Sequence, residues 1–183
     1  MGSRIACHFA NIGVQVLLLD IVPRELNAKE QAKGLTLEDK AVRNRLVNDA
    51  LGAAVKSNPA PLYDKAFASR ITTGNLDDDL GKIAEVDWII EVVIERLDIK
   101  QQLFEKVDAL RKPGTLVTSN TSGIPIQMMS AGRSDDFQAH FCGTHFFNPP
   151  RYLKLLELIP GPKTSPEVLE FLLDYGKRYL GKT

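Results

Sequence analysis

Continuous apolar runs alternate with amphipathic stretches along this chain, and the alternation predicts its architecture. Val14-Gln15-Val16-Leu17-Leu18-Leu19-Asp20 reads as a buried strand that ends in an acid. Further strands are predicted over Ile71-Thr72-Thr73, Asp87 to Val92, Thr115 to Thr118, Gln138 to Phe147 and Leu153 to Ile159. Strands that are apolar throughout belong to parallel sheets covered on both faces. Between them, Gly2 to Ile12 carries Ile5, Phe9 and Ile12 at helical spacing, with Gly13 as the stop. Leu97 to Arg111 is an amphipathic helix ended by Pro113-Gly114, and Ile124 to Met129 a short one. Ser165-Pro166-Glu167 opens a last helix to Tyr179 with a capping residue, a proline at the first position and an acid near the positive end.

Arg24 to Lys56 departs from this rhythm. It is helical and rich in charge, broken near Gly34-Leu35-Thr36 and ended by Asn58-Pro59-Ala60-Pro61, and it is too long and too polar for a simple crossover helix. Asn75 to Asp79 reads as a turn before a helical turn. The whole pattern predicts an α/β fold with a helical insertion.

Composition narrows the possibilities. With 183 residues and 44% hydrophobic content the chain can bury one sizeable core, or one domain with an appended piece, but not two full domains. Lysine plus arginine and aspartate plus glutamate number 23 each, and no basic block of five occurs, so no field favours nucleic acid. Cys7 and Cys142 lie in apolar contexts and read as small core residues. Three widely spaced histidines, without His-x-x-x-His or Cys-x-x-Cys, predict no metal site. No run approaches the ~20 apolar residues that span a bilayer, and a reducing cytoplasmic or organelle-interior setting is expected, the cytoplasm first.

Chemistry concentrates at predicted strand ends. Asp20 ends its strand where a dinucleotide fold places the carboxylate that accepts from the adenine ribose hydroxyls; alternatively it opens a turn. No Gly-x-Gly-x-x-Gly precedes it. Glu91, Glu95 and Lys100 follow the next strand at the edge where open α/β sheets bind ligands, where a lysine can meet a ribose or phosphate. The alternative is a capping Glu95 and a solvated Lys100. Ser119-Asn120-Thr121-Ser122 end another strand and can cap the helix beyond; the functional reading takes Ser122 to a substrate oxygen or the nicotinamide and leaves Thr121 structural.

His145, Asn148 and Glu157 form the most informative group. His145 ends one strand and Glu157 lies on the next, across the Pro149-Pro150 connection, so a hairpin-like pairing brings them together. A carboxylate on one ring nitrogen fixes the tautomer and leaves the other as a base, an arrangement suited to oxidising an alcohol. Asn148 can orient cofactor or substrate, or bond backbone in its turn.

Taken together, Met1-Gly2-Ser3-Arg4-Ile5-Ala6, Leu18-Leu19-Asp20, Val93-Ile94-Glu95 with Lys100, Ser119 to Ser122, and His145-Phe146-Phe147-Asn148-Pro149 with Glu157 resemble the NAD-binding domain of the 3-hydroxyacyl-CoA dehydrogenase family, in the form found in multifunctional fatty-acid β-oxidation proteins. The resemblance covers residues 1–183 and implies a Rossmann-like doubly wound sheet that lacks the family's first strand and most of its glycine loop. A helical C-terminal domain would follow. It further implies NAD as cofactor, with Met1 and Gly2 at a helix N-terminus meeting pyrophosphate, Asp20 holding the ribose, and Glu95, Lys100, Ser122 and Asn148 contacting NAD or substrate. His145 would be the general base, Glu157 its support, and Ser122 the holder of the reacting oxygen, in oxidation of (S)-3-hydroxyacyl-CoA to 3-oxoacyl-CoA. The expected partners are acyl-CoA and a homodimer or multifunctional β-oxidation protein. Two other readings stand beside it: a truncated, non-catalytic Rossmann-like binding module, and a related NAD-dependent hydroxy-acid dehydrogenase.

Overall fold

Apolar residues on one face make the first element a helix that the rest of its surroundings can bury. The computed structural model describes all 183 residues, and in it α1 (Gly2–Asn11) buries Ile5, Ala6, Cys7, Phe9 and Ala10 before Gly13 turns the chain at φ 91°. The strand β1 (Val16–Asp20) then pairs in parallel with β2 (Ile71–Asn75), Val16 opposite Ile71 and Asp20 opposite Asn75. Ala6, Cys7 and Ala10 of α1 meet Leu62 and Ile71, with Val16, Leu18, Leu51 and Val55 packed around them. These elements belong to a first compact unit, Met1–Leu80 with Pro149–Arg151.

The helical insertion lies between β1 and β2 as three pieces: α2 (Ala28–Ala32), α3 (Lys40–Arg43) and α4 (Arg45–Val55). It opens at Ala28 rather than at Arg24 because Asn27 forms a capping box there: the Glu30 N–H donates to Asn27 Oδ1 at 2.9 Å and the Asn27 N–H to Glu30 Oε2 at 2.8 Å. A second break, at Asn44, goes beyond the one expected near Gly34. Asn44 Oδ1 accepts from Asn75 Nδ2 at 2.8 Å, which ties the insertion to the end of β2.

The second unit comprises Gly81–Asn148 and Tyr152–Thr183. Its sheet runs β3 (Trp88–Glu91), β4 (Leu116–Ser119), β5 (Phe141–Phe146), β6 (Leu156–Pro160), with the first three parallel and β6 antiparallel. The strands thus form two sheets rather than one. Alternation along β5 sends successive side chains to opposite faces. Phe141 stacks with Phe137 of α7 (Asp135–Ala139) and meets edge-on Phe104 of α5 (Leu97–Leu110). Cys142 joins Leu116 and Leu172 of α8 (Pro166–Arg178) on the other face. Both faces are covered, as a doubly wound unit requires.

Several predicted boundaries need correction here; the strand expected from Leu153 begins at Leu156. Gln138 and Ala139 belong to α7, not to the following strand, because Ser134 caps that helix by accepting from the Phe137 N–H at 3.1 Å. Ser165 precedes α8 as expected, but its hydroxyl bonds the Glu167 carboxylate instead of a backbone amide. The short helix α6 (Ile126–Ser130) starts two residues later than its apolar pattern suggested.

Candidate active site

Parallel strands deliver their carboxyl ends to one edge, so in the second unit the residues closing β3, β4 and β5 share it. His145 sits near the end of β5 and faces Glu157 of β6 in register. The hairpin predicted from the sequence therefore forms. Nδ1 of His145 lies 2.8 Å from Glu157 Oε2, which leaves Nε2 as the ring nitrogen available to a ligand. The imidazole side chain is 20% exposed, the carboxylate 49%, and the Phe147 ring lies 4.5 Å from the imidazole centroid. Asn148 follows at the surface, just beyond β5.

Gly143 makes the β5–β6 contact close enough for this pairing. A Cβ there would stand 3.0 Å from Ile126 Cδ1 and 3.1 Å from Ile159 Cβ, tighter than side chains normally pack.

The loop after β4 is held from two sides. The Phe146 N–H donates to Asn120 Oδ1 at 2.8 Å, linking this loop to the end of β5 beside His145. Thr121, buried, donates its hydroxyl to Glu95, and the Ser122 and Gly123 amides each donate to the same Glu95 oxygen at 3.2 Å. Burial alone would raise the Glu95 pKa, but the Thr121 hydroxyl, the Gly123 amide and the Lys100 ammonium together hold it below the ordinary value. Ser122 itself is exposed, its hydroxyl presented at the loop tip.

Lys100 was expected at the surface or on a ligand; it is instead buried, its side chain 1% exposed. Its ammonium lies 2.8 and 3.0 Å from the two Glu91 oxygens, 3.3 Å from Glu95 Oε2 and 3.4 Å from the Val93 carbonyl. The solvated alternative for Lys100 and the capping alternative for Glu95 are both set aside by these contacts.

In the first unit, Asp20 ends β1 and accepts from the Ile21 N–H at 2.8 Å, so it shapes the turn with one oxygen of its carboxylate. Met1 and Gly2 stand at the start of α1, where the Gly2 and Ser3 amides have no intrahelical acceptor. Within the first unit, helix-end amides suit phosphate and a strand-end carboxylate suits ribose; the second unit, taken by itself, gathers polar side chains at the carboxyl ends of its parallel strands. Sequence reading missed the positions of Asn120 and Glu91 in this network. No helix is long and apolar enough to cross a membrane.

A doubly wound α/β framework with polar groups gathered at its strand ends defines the nucleotide-binding class of fold. Within that class the chain belongs to the family described as "3-hydroxyacyl-CoA dehydrogenase, NAD binding domain", whose pattern matches residues 1–183. It is 56% identical over 182 residues to a probable 3-hydroxyacyl-CoA dehydrogenase of Bacillus subtilis, covering 100% of this chain and 23% of that protein. It is 37% identical to a putative fatty acid oxidation complex trifunctional enzyme of Rickettsia felis, covering 100% of this chain and 24% of the relative. The fold matches the crystal structure of 3-hydroxybutyryl-CoA dehydrogenase from Escherichia coli K12 with a TM-score of 0.71 and 30% identity, over 100% of this chain and 35% of that one. The chain thus spans about a quarter of the length of these two relatives.

Proposed function

We propose that this chain is the NAD-binding and proton-transfer half of an enzyme that oxidises (S)-3-hydroxyacyl-CoA to 3-oxoacyl-CoA. The observation that carries the reading is the His145–Glu157 pair at the carboxyl end of β5, in a chain of this family. Bound NAD supplies the acceptor for the hydride that leaves C3 of the acyl chain. His145 accepts the proton of the 3-hydroxyl at Nε2, while Glu157 fixes Nδ1–H and stabilises the imidazolium that forms. Ser122, presented by the loop that Glu95 holds, donates to the reacting oxygen as it becomes a carbonyl. Asn148 orients the ligand beside it.

Asp20 accepts from the adenosine ribose hydroxyls, and the backbone nitrogens of Met1 and Gly2 at the start of α1 meet the pyrophosphate. Lys100 serves the cofactor through Glu95, since its ammonium is enclosed by carboxylates. The likeness to the Rickettsia felis protein supports a place in fatty-acid oxidation, within a longer multifunctional protein.

The test is NADH formation by the intact protein from NAD and a 3-hydroxyacyl-CoA. Turnover of the (S) enantiomer with little of the (R) is expected. No NADH from either enantiomer, in protein shown by calorimetry to bind NAD, would overturn the reading in favour of a binding module.

A further inference from the structure

Glu91 stands at the end of β3 with its side chain 1% exposed, a charged group that the fold has taken wholly out of water. Burying a carboxylate is costly unless every lone pair finds a donor, and a buried ion pair adds little stability over apolar residues of the same volume. Its presence therefore calls for an explanation other than stability. Glu91 has its donors: Lys100 Nζ at 2.8 and 3.0 Å, the Ser119 hydroxyl at 2.5 Å and the Val93 N–H at 2.6 Å.

The Val93 contact is local, but those of Ser119 and Lys100 lead to the loop that carries Ser122. Ser119 is the last residue of β4, at the root of that loop, and the Asn120 N–H donates to the Glu91 carbonyl at 2.8 Å. Lys100, held by Glu91, turns toward Glu95 at 3.3 Å, and Glu95 gathers the Thr121 hydroxyl and the Ser122 and Gly123 amides. A carboxylate, an ammonium and a second carboxylate thus run in series from a sheet strand to the loop tip. Only the outer member is open to solvent, its side chain 42% exposed.

We propose that Glu91 is a positioning residue: its buried carboxylate holds Lys100, through which Glu95 fixes the 121–123 backbone and presents the Ser122 hydroxyl in one orientation. The proposal rests on the reading of Ser122 as the group that meets the reacting oxygen. Glu91 touches neither substrate nor cofactor in this arrangement. Its effect is felt in the precision of the loop, and misplacement of a reacting group costs rate rather than binding.

Glu91→Gln in the intact protein keeps the shape and one acceptor oxygen, so that with its oxygen on the Val93 N–H its amide NH2 can donate to the Ser119 hydroxyl, but it removes the charge that Lys100 requires. The expected result is a kcat about tenfold to a hundredfold lower with the KM for NAD unchanged. Hydrogen exchange of the Ser122 and Gly123 amides should quicken while the β4 and β5 amides stay protected. In a Lys100→Met background the same substitution should have almost no further effect, because the link it acts through is gone. Unchanged kcat together with unchanged exchange at residues 122 and 123, or additive losses in the double variant, would overturn the proposal. If Glu91→Gln alone does not fold, the charge-neutral pair Glu91→Gln with Lys100→Met takes its place, and slow, wild-type exchange at Ser122 and Gly123 in that pair would equally overturn it. The exchange measurement needs no substrate, so it decides the role of Glu91 even if the wild-type protein oxidises no hydroxyacyl-CoA and the functional reading falls.

Discussion

Glu157→Gln takes the negative charge away from His145 while leaving an oxygen that can still accept from Nδ1–H. The charge matters only once the imidazole has gained a proton, so its loss should appear in the transition state and therefore in kcat. At the observed 2.8 Å, two unit charges in surroundings of effective dielectric ~20 would attract by about 6 kcal/mol. That is an upper figure here, because the Glu157 side chain is 49% exposed and water screens it. With the hydrogen bond itself kept, the loss belongs at the lower end of the ~1.5–3 kcal/mol typical of a charged hydrogen bond. About 1.5 kcal/mol corresponds to a kcat roughly tenfold lower. Glu157→Ala removes the acceptor as well, and a loss of about 3 kcal/mol, roughly a hundredfold, is expected. Steady-state NADH formation from a 3-hydroxyacyl-CoA by the intact protein measures both, with KM little changed. Wild-type kcat in both variants would refute the role given to the carboxylate.

Other consequences follow from the packing and the charges. Phe104 is fully buried and its ring meets Phe141 at 5.0 Å and Phe137 at 5.6 Å, so Phe104→Ala should cost about 3–5 kcal/mol in urea unfolding; a cost below about 1 kcal/mol would contradict that packing. The Arg43 guanidinium and the Asn75 amide hold the Asp78 carboxyl down at about 2, from an ordinary 3.8. A carboxyl that titrates lower in the folded than in the unfolded chain brings stability that is complete above its unfolded value and disappears as the pH falls through about 2. Acid unfolding followed by circular dichroism should accordingly be shallower between those values in Asp78→Asn than in wild type, and identical acid limbs would argue against the ion pair.

Much of this fold is legible in the order of residues because parallel strands leave a plain apolar mark, although Val16–Asp20 and Trp88 to Ile90 are half-buried rather than buried as expected. The run from Val16 to Asp20 and that from Trp88 to Glu91 are apolar without alternation, and both are parallel strands. The His145–Glu157 contact is readable for a related reason: two successive strands joined by a proline-containing connection pair as a hairpin, and register then places these residues opposite one another. The helix α7 is harder to see, since its apolar residue Phe137 continues smoothly into the strand that starts at Phe141; only the Ser134-Asp135-Asp136 start signal marks it. The insertion breaks at Asn44 for tertiary reasons, its side chain being engaged by Asn75 from β2.

Glu91 was the least legible of the site residues. A carboxylate at a strand end usually faces water or a ligand, and nothing local shows that Lys100, nine residues on, will fold back beneath it. That depends on how α5 packs over the sheet, which places the ammonium between Glu91 and Glu95. Asn120 is similar: its side chain caps the end of a neighbouring strand, a partner 26 residues away in sequence.

The central claim is that His145 takes the proton of the substrate hydroxyl. It is tested most directly by comparing kcat for NADH formation from a 3-hydroxyacyl-CoA between the intact wild-type protein and His145→Ala, with NAD affinity measured in parallel. The account predicts a rate lower by about 10²–10⁴ with cofactor binding retained. Equal rates would contradict it.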